Sequence, residues 1–137
     1  MTRINLLPPT ELTDQHLVAE YREMTMVPAA LNRTLKSKNG LDRSRISSKY
    51  TLNTGHVYFF YDKGKYLKER YDSLVTEMKL RGMNPDPNRI FPTEVFEQNN
   101  LYGNWKPSVE EIQINLERIE KRINQKPDWY RHTKHEK

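Results

Sequence analysis

Three groups of residues in this chain could do chemistry or hold a charged ligand. The first is the α-amine that trimming of Met1 would leave on Thr2, because a small residue at position 2 permits that removal. An α-amine has an ordinary pKa of about 7.7 to 8.0, so near neutral pH an appreciable fraction is an unprotonated nucleophile, whereas a lysine must be desolvated first. Many chains begin Met-Thr with a frayed, inert terminus, so the leader Thr2-Arg3-Ile4-Asn5-Leu6 by itself leaves both readings open. The second group is Arg118, Arg122 and Lys126, stepping by four along one helical face. Such a stripe is either a solvated face or a track for phosphates. The third is the histidines. His16 falls on a helix, where a structural role is the commoner one, and His56, beside Gly55 and an aromatic run, reads as a hydrogen-bonded core residue. His132 and His135 lie in the last residues without the acidic or third histidine partners that a metal would require, so no metal and no cofactor is expected.

The composition agrees with a charged partner. Basic residues number 23 against 18 acidic ones, a formal charge of +5, and the isoelectric point is near 9.4. With 35% hydrophobic residues and a mean hydropathy of -0.96, much of the surface must face water or a polyanion. Nucleic acid is the commonest such partner, although basicity alone suits a ribosomal protein, a repressor or a lipid-surface binder equally well. The absence of cysteine excludes disulfides, thiolate catalysis and sulfur-ligated zinc. No apolar run approaches the ~20 residues of a membrane span, and the first residues lack a signal-peptide pattern. The expectation is a monomeric intracellular protein, cytoplasmic or nucleoid-associated, in a host cell if its source is viral.

These groups need elements to position them. The length predicts one domain, residues 1–137, of which 128–137 form a tail. Thr13 or Asp14 can cap a first helix whose apolar positions are Leu17, Tyr21 and Met24, bent or restarted at Pro28 and continuing to Leu35. Residues 36–49 read as a charged loop. Val57 to Tyr61 reads as an extended core segment leading into a second helix from about Gly64, with Leu67, Tyr71, Leu74, Val75 and Met78 inward and Gly82 as its stop. The proline-rich crossing from Met83 to Pro107 is expected to be irregular and pinned by Phe91, Phe96, Leu101 and Trp105. Ser108 and Glu111 have capping-box spacing for a third helix, with Ile112, Leu116, Ile119 and Ile123 inward and Pro127 at its end. The fold class is therefore all-α, three main helices with long irregular connectors.

The leader, Asp14-Gln15-His16-Leu17, Ala19-Glu20-Tyr21-Arg22-Glu23, Gly55-His56-Val57 with Phe59-Phe60-Tyr61-Asp62-Lys63, and Pro127 with Trp129-Tyr130 stand in an order and spacing that resemble the phage-type endonuclease V family. These are pyrimidine-dimer DNA glycosylases with abasic-site lyase activity. The resemblance runs over nearly the whole chain and is weakest over residues 26–50 and 83–107. It departs at Met26, where the phage enzyme has a basic residue, at Leu7-Pro8-Pro9, and in the tail after Tyr130.

The resemblance implies an N-terminal leader lodged between helices and two catalytic groups. These are the amine of Thr2, which attacks the sugar, and Glu23, the carboxylate that steadies positive charge and handles protons. Glu20 is the weaker carboxylate candidate, better suited to pairing with a cation of a neighbouring helix. Arg3, Arg22, Arg118, Arg122 and Lys126 are implied phosphate contacts, and Gln15 and His16 lie near the amine and the DNA backbone. Trp129 and Tyr130 either stack on unpaired bases or cover the end of the third helix. The implied partner is double-stranded DNA containing pyrimidine dimers or abasic sites. The rival reading is a noncatalytic basic helical protein that binds nucleic acid through its third helix.

Overall fold

The computed structural model describes residues 4–52 and 55–135, whose regular structure is helical, with no strand among them. The helices are α1 (Asp14–Met24), α2 (Met26–Lys36), α3 (His56–Phe59), α4 (Gly64–Leu80), α5 (Glu94–Glu97) and α6 (Val109–Gln125). Short 3-10 turns lie at Pro9–Glu11, Arg43–Arg45 and Phe60–Asp62.

The boundaries follow local chemistry. Thr13 caps α1, its hydroxyl oxygen accepting from the His16 amide at 3.1 Å. The first long helix is broken at Thr25, and Pro28 sits in the first turn of α2, where an amide proton would have had no intrahelical acceptor. Gly82, at φ +83°, ends α4 in the left-handed region that glycine adopts without strain. At the other end of α4, Gly64 packs so tightly on Phe96 that an added Cβ would lie 2.5 Å from its ring. Ser108 and Glu111 form the expected reciprocal capping box.

One segment departs from expectation. Residues 57–61 are not extended: α3 and the following 3-10 turn coil them. A helical turn sends His56, Phe59, Phe60 and Tyr61 inward together, whereas an extended chain would alternate them between two faces. Tyr50 and Trp105 close edge-on around this aromatic cluster.

The core is built where α1 packs along α4, with Leu17, Tyr21 and Met24 facing Leu67, Tyr71 and Leu74. Phe91, Phe96 and Leu101 are buried and Trp105 is partly so, which ties the irregular crossing down. On α6 only Ile119 is a fully buried apolar residue, while Ile112, Leu116 and Ile123 are half-covered. Its deepest side chain is polar, Asn115 at 0% exposure. The leader lies between the helices as the resemblance implies: Ile4, Leu6 and Leu7 are buried, and its polar groups bond to Glu20 of α1, Arg70 of α4 and Asn115 of α6.

Candidate active site

A cleft of about 270 Å³ opens where the leader, α1, α6 and the chain end meet. Its walls hold Asn5 of the leader, Gln15, His16, Ala19, Glu20 and Glu23 of α1, Arg118 and Arg122 of α6, and Trp129 and Tyr130 beyond it. Helical spacing explains the α1 contribution. Positions 16, 19, 20 and 23 fall on one face, while Leu17, Tyr21 and Met24 turn into the core.

The cleft is basic on one side and acidic on the other. The two carboxylates of α1 differ in kind, although they stand one turn apart. Glu20 is 1% exposed and held bidentately by Arg70, at 2.8 Å and 2.9 Å, and it also accepts from Asn5 at 3.0 Å. Burial alone would lower the Arg70 guanidinium, but the Glu20 carboxylate outweighs it and pushes Arg70 above its ordinary value. The pairing foreseen for Glu20 is therefore present, and it commits that carboxylate to structure. Glu23 is half-buried in the wall.

His16 is neutral at physiological pH. Burial, and then the charges of Arg118 and Arg122, lower it from 6.5 to about 4. Its Nδ1 lies 2.7 Å from the Thr13 hydroxyl, and its ring stacks on Tyr130 with centroids 4.8 Å apart and planes 4° from parallel. Gln15 spends both ends of its amide on the chain end. Its Nε2 donates to the Trp129 carbonyl at 2.6 Å, and its Oε1 accepts from the Arg131 amide at 3.0 Å.

That chain end is a docked strap. The Asp14 amide donates to the Arg131 carbonyl at 2.7 Å, and the Asp14 carboxylate accepts from both the Thr133 amide and hydroxyl. Arg81, buried behind it, bridges Asp14 at 2.9 Å and Glu77 at 2.7 Å. Burial works to raise both carboxyls, but hydrogen bonds from Thr133 and Arg81 to Asp14, and from Arg81 and His135 to Glu77, hold each below its ordinary value. His135 thus does have an acidic partner, Glu77 at 2.8 Å, one supplied from 58 residues away and invisible in its own neighbourhood. Among the described residues no three histidine, aspartate or glutamate side chains gather in a way that could hold a metal ion.

Two of the expected phosphate contacts stand apart from this wall. Arg22 is exposed on α1 and does not line the cleft. Lys126 does not continue the stripe of Arg118 and Arg122, because the helix ends at Gln125 and Lys126 has left helical geometry at φ -145°. The following Pro127 disfavours the α conformation for the residue before it. Lys126 lies instead over the Trp129 ring, 5.7 Å from its centroid. Thr2 and Arg3 fall outside the described residues. Asn5, Ala19 and Arg70, the cation that pairs with Glu20, are parts of the site or its frame that the sequence reading did not assign. An apolar run interrupted by Asn5 in the leader was the available signal.

The sequence matches the family model of the pyrimidine dimer DNA glycosylases over residues 1–91. The chain belongs to that family. Membership makes DNA repair its setting and DNA with pyrimidine dimers its substrate. The matched stretch contains the leader and all of α1, hence the acidic wall of the cleft. The basic wall, Arg118 and Arg122, and the aromatic strap lie beyond it. No helix among the described residues is long and apolar enough to cross a membrane.

Proposed function

We propose that this glycosylase works through the α-amine of Thr2, freed by loss of Met1, and that it also cuts the strand at the resulting abasic site. The observation that carries the reading is the composition of one cleft: Asn5, three residues along the chain from Thr2, shares it with Glu23, Arg118 and Arg122. Three residues of chain reach no further than about 11 Å, so the amine is tethered within range of the carboxylate's wall.

The chemistry runs as follows. The amine nitrogen bonds to C1′ of the damaged nucleotide and the bond from C1′ to the base breaks, the base leaving with its electron pair. The bond from C1′ to O4′ then opens, O4′ takes a proton, and C1′ becomes an iminium carbon. That cation acidifies C2′. Removal of a C2′ proton breaks the bond from C3′ to its phosphate oxygen, which leaves as the 3′ phosphate. Water hydrolyses the imine and returns the amine. Glu23 fits the counter-charge and the proton carrier in these steps. Arg118 and Arg122 fit the phosphates on either side, and His16, held neutral, adds no positive charge that would compete with the amine. Trp129 and Tyr130 offer ring faces to bases unstacked at the lesion, whose pairing a dimer already weakens.

Trapping tests this. Correctly trimmed protein, incubated with abasic-site DNA and borohydride, should give a covalent adduct whose peptide contains Thr2, in EDTA as well as without it. Glu23→Gln should lower turnover by about 10²- to 10³-fold, the scale of losing one charge-stabilising group in a dry site, while lesion binding stays measurable. An adduct on a lysine, or no adduct at all, would defeat the mechanism.

A further inference from the structure

The leader is fixed by side chains that the chemistry above does not use. The Ile4 amide donates to His56 Nε2 at 2.7 Å, and the Ile4 carbonyl accepts from the Tyr50 hydroxyl at 2.9 Å. A backbone amide can only donate, so Nε2 must be the unprotonated nitrogen. Nδ1 then carries the proton and donates to the Thr51 carbonyl at 2.7 Å. The Thr51 carbonyl thus sets the tautomer that catches the leader. Two residues on, the Leu6 and Leu7 amides converge on Asn115 Oδ1, at 2.7 Å and 3.3 Å, while Asn115 Nδ2 donates to Asn5 Oδ1 at 2.9 Å. His56 and Asn115 are 2% and 0% exposed.

Burial of Ile4, Leu6 and Leu7 gives the leader affinity for the core, but apolar burial has no direction and tolerates sliding. Hydrogen bonds to named backbone atoms do not. Catching the amides of residues 4, 6 and 7 fixes the leader's register along its own axis. Asn115 also sits on the helix that presents Arg118 one turn later and Arg122 two turns later, so the leader is referenced to the helix that lines the basic wall.

We infer that His56 and Asn115 are positioning residues for the reaction: they set the register of the leader and so bring the amine of Thr2, two residues before Ile4, to its place opposite Glu23. This rests on the amine reading of the preceding section. A nucleophile misplaced by about 1 Å loses on the order of 10²-fold in rate, without a matching loss of binding.

The test compares chemistry with binding. With protein saturating, the rate of borohydride trapping on abasic-site duplex should fall about 30- to 100-fold in His56→Ala. The Kd for duplex carrying a tetrahydrofuran abasic analogue, which cannot form an imine, should stay within about threefold. His56→Gln, whose amide oxygen can occupy the Nε2 position, should recover most of the rate. Asn115→Asp, which keeps the acceptor, should retain more rate than Asn115→Ala. A wild-type trapping rate in His56→Ala, or binding that falls as far as the rate, would overturn the inference. Should the alanine variants not fold, hydrogen exchange on the wild-type protein decides: the Ile4, Leu6 and Leu7 amides should be strongly protected, and exchange at the rate of a frayed end would sink the idea. Protein with an acetylated N-terminus separates the two levels. If it still traps, the amine reading falls and this inference with it. If it does not trap while His56→Ala traps normally, only the positioning role is lost.

Discussion

The leader and the strap meet at one cleft and are anchored by different means. The leader is held by buried polar side chains, His56, Tyr50, Asn115 and Arg70, each gripping backbone atoms of residues 4–7. The strap, Trp129 to His135, lies in the open, held by the exposed amide of Gln15, the partly covered carboxylate of Asp14 and, at His135 alone, the buried carboxylate of Glu77. A buried polar grip is unforgiving, because losing one partner strands the other away from water. A surface grip is weaker, screened by salt and open to adjustment. The difference fits the tasks proposed for each end. A nucleophile must stand in one place, whereas Trp129 and Tyr130 have to accommodate bases displaced from a distorted duplex.

The most damaging test of this contrast is Arg70→Met. It leaves the Glu20 carboxylate buried with only Asn5 and should cost about 3–5 kcal/mol by denaturant unfolding. A loss under about 1 kcal/mol would mean the leader is no more deeply anchored than the strap. Asp14→Ala should cost less, about 1–2 kcal/mol for partly exposed bonds, and should raise the quenching of Trp129 fluorescence by acrylamide while leaving leader amides protected. Leader amides that loosen along with the strap would break the contrast.

Acid should release the strap in two stages. His16 is lowered from 6.5 to about 4, so between those values the unfolded chain takes a proton that the folded one refuses, and stability declines as pH falls. Asp14 and Glu77, both below their ordinary values, contribute stability above about pH 4 that disappears as pH drops through their folded-state values. Unfolding free energy measured against pH should therefore lose its upper stage in His16→Gln and have a smaller lower stage in Asp14→Asn. The smallest effect is expected from the basic wall. Arg118→Ala and Arg122→Ala should each reduce the salt dependence of duplex binding by about 0.9 in slope, and unchanged slopes would remove them from the phosphate track.

Local signals carried much of the fold. The Thr13 cap, the Ser108–Glu111 box, the Gly82 stop and the apolar spacing of α1 and α4 all involve residues within a few positions of one another, and each appears where the sequence puts it. The same logic failed at residues 57–61, where a continuous aromatic run has no periodicity to tell a coiled segment from an extended one. It also failed at Lys126, whose place in the stripe required a helix that Pro127 cuts short.

The site divides along the same line. Types and order of residues in the leader, α1, the aromatic run and the last turn were enough to suggest the family and with it Thr2, Glu23 and His16, while the spacing of α6 marked Arg118 and Arg122. That His16, Glu23, Arg118 and Arg122 line one cleft was settled by tertiary structure, as was the diversion of Gln15 to the strap and of Glu20 to Arg70. The reason is range. Caps and helical faces depend on neighbours that the chain itself supplies, whereas Asn115 lies 109 residues from the amide it receives and Arg70 lies 50 from its carboxylate. A polar residue with its future partner that far away looks like any other surface residue until folding removes the water between them.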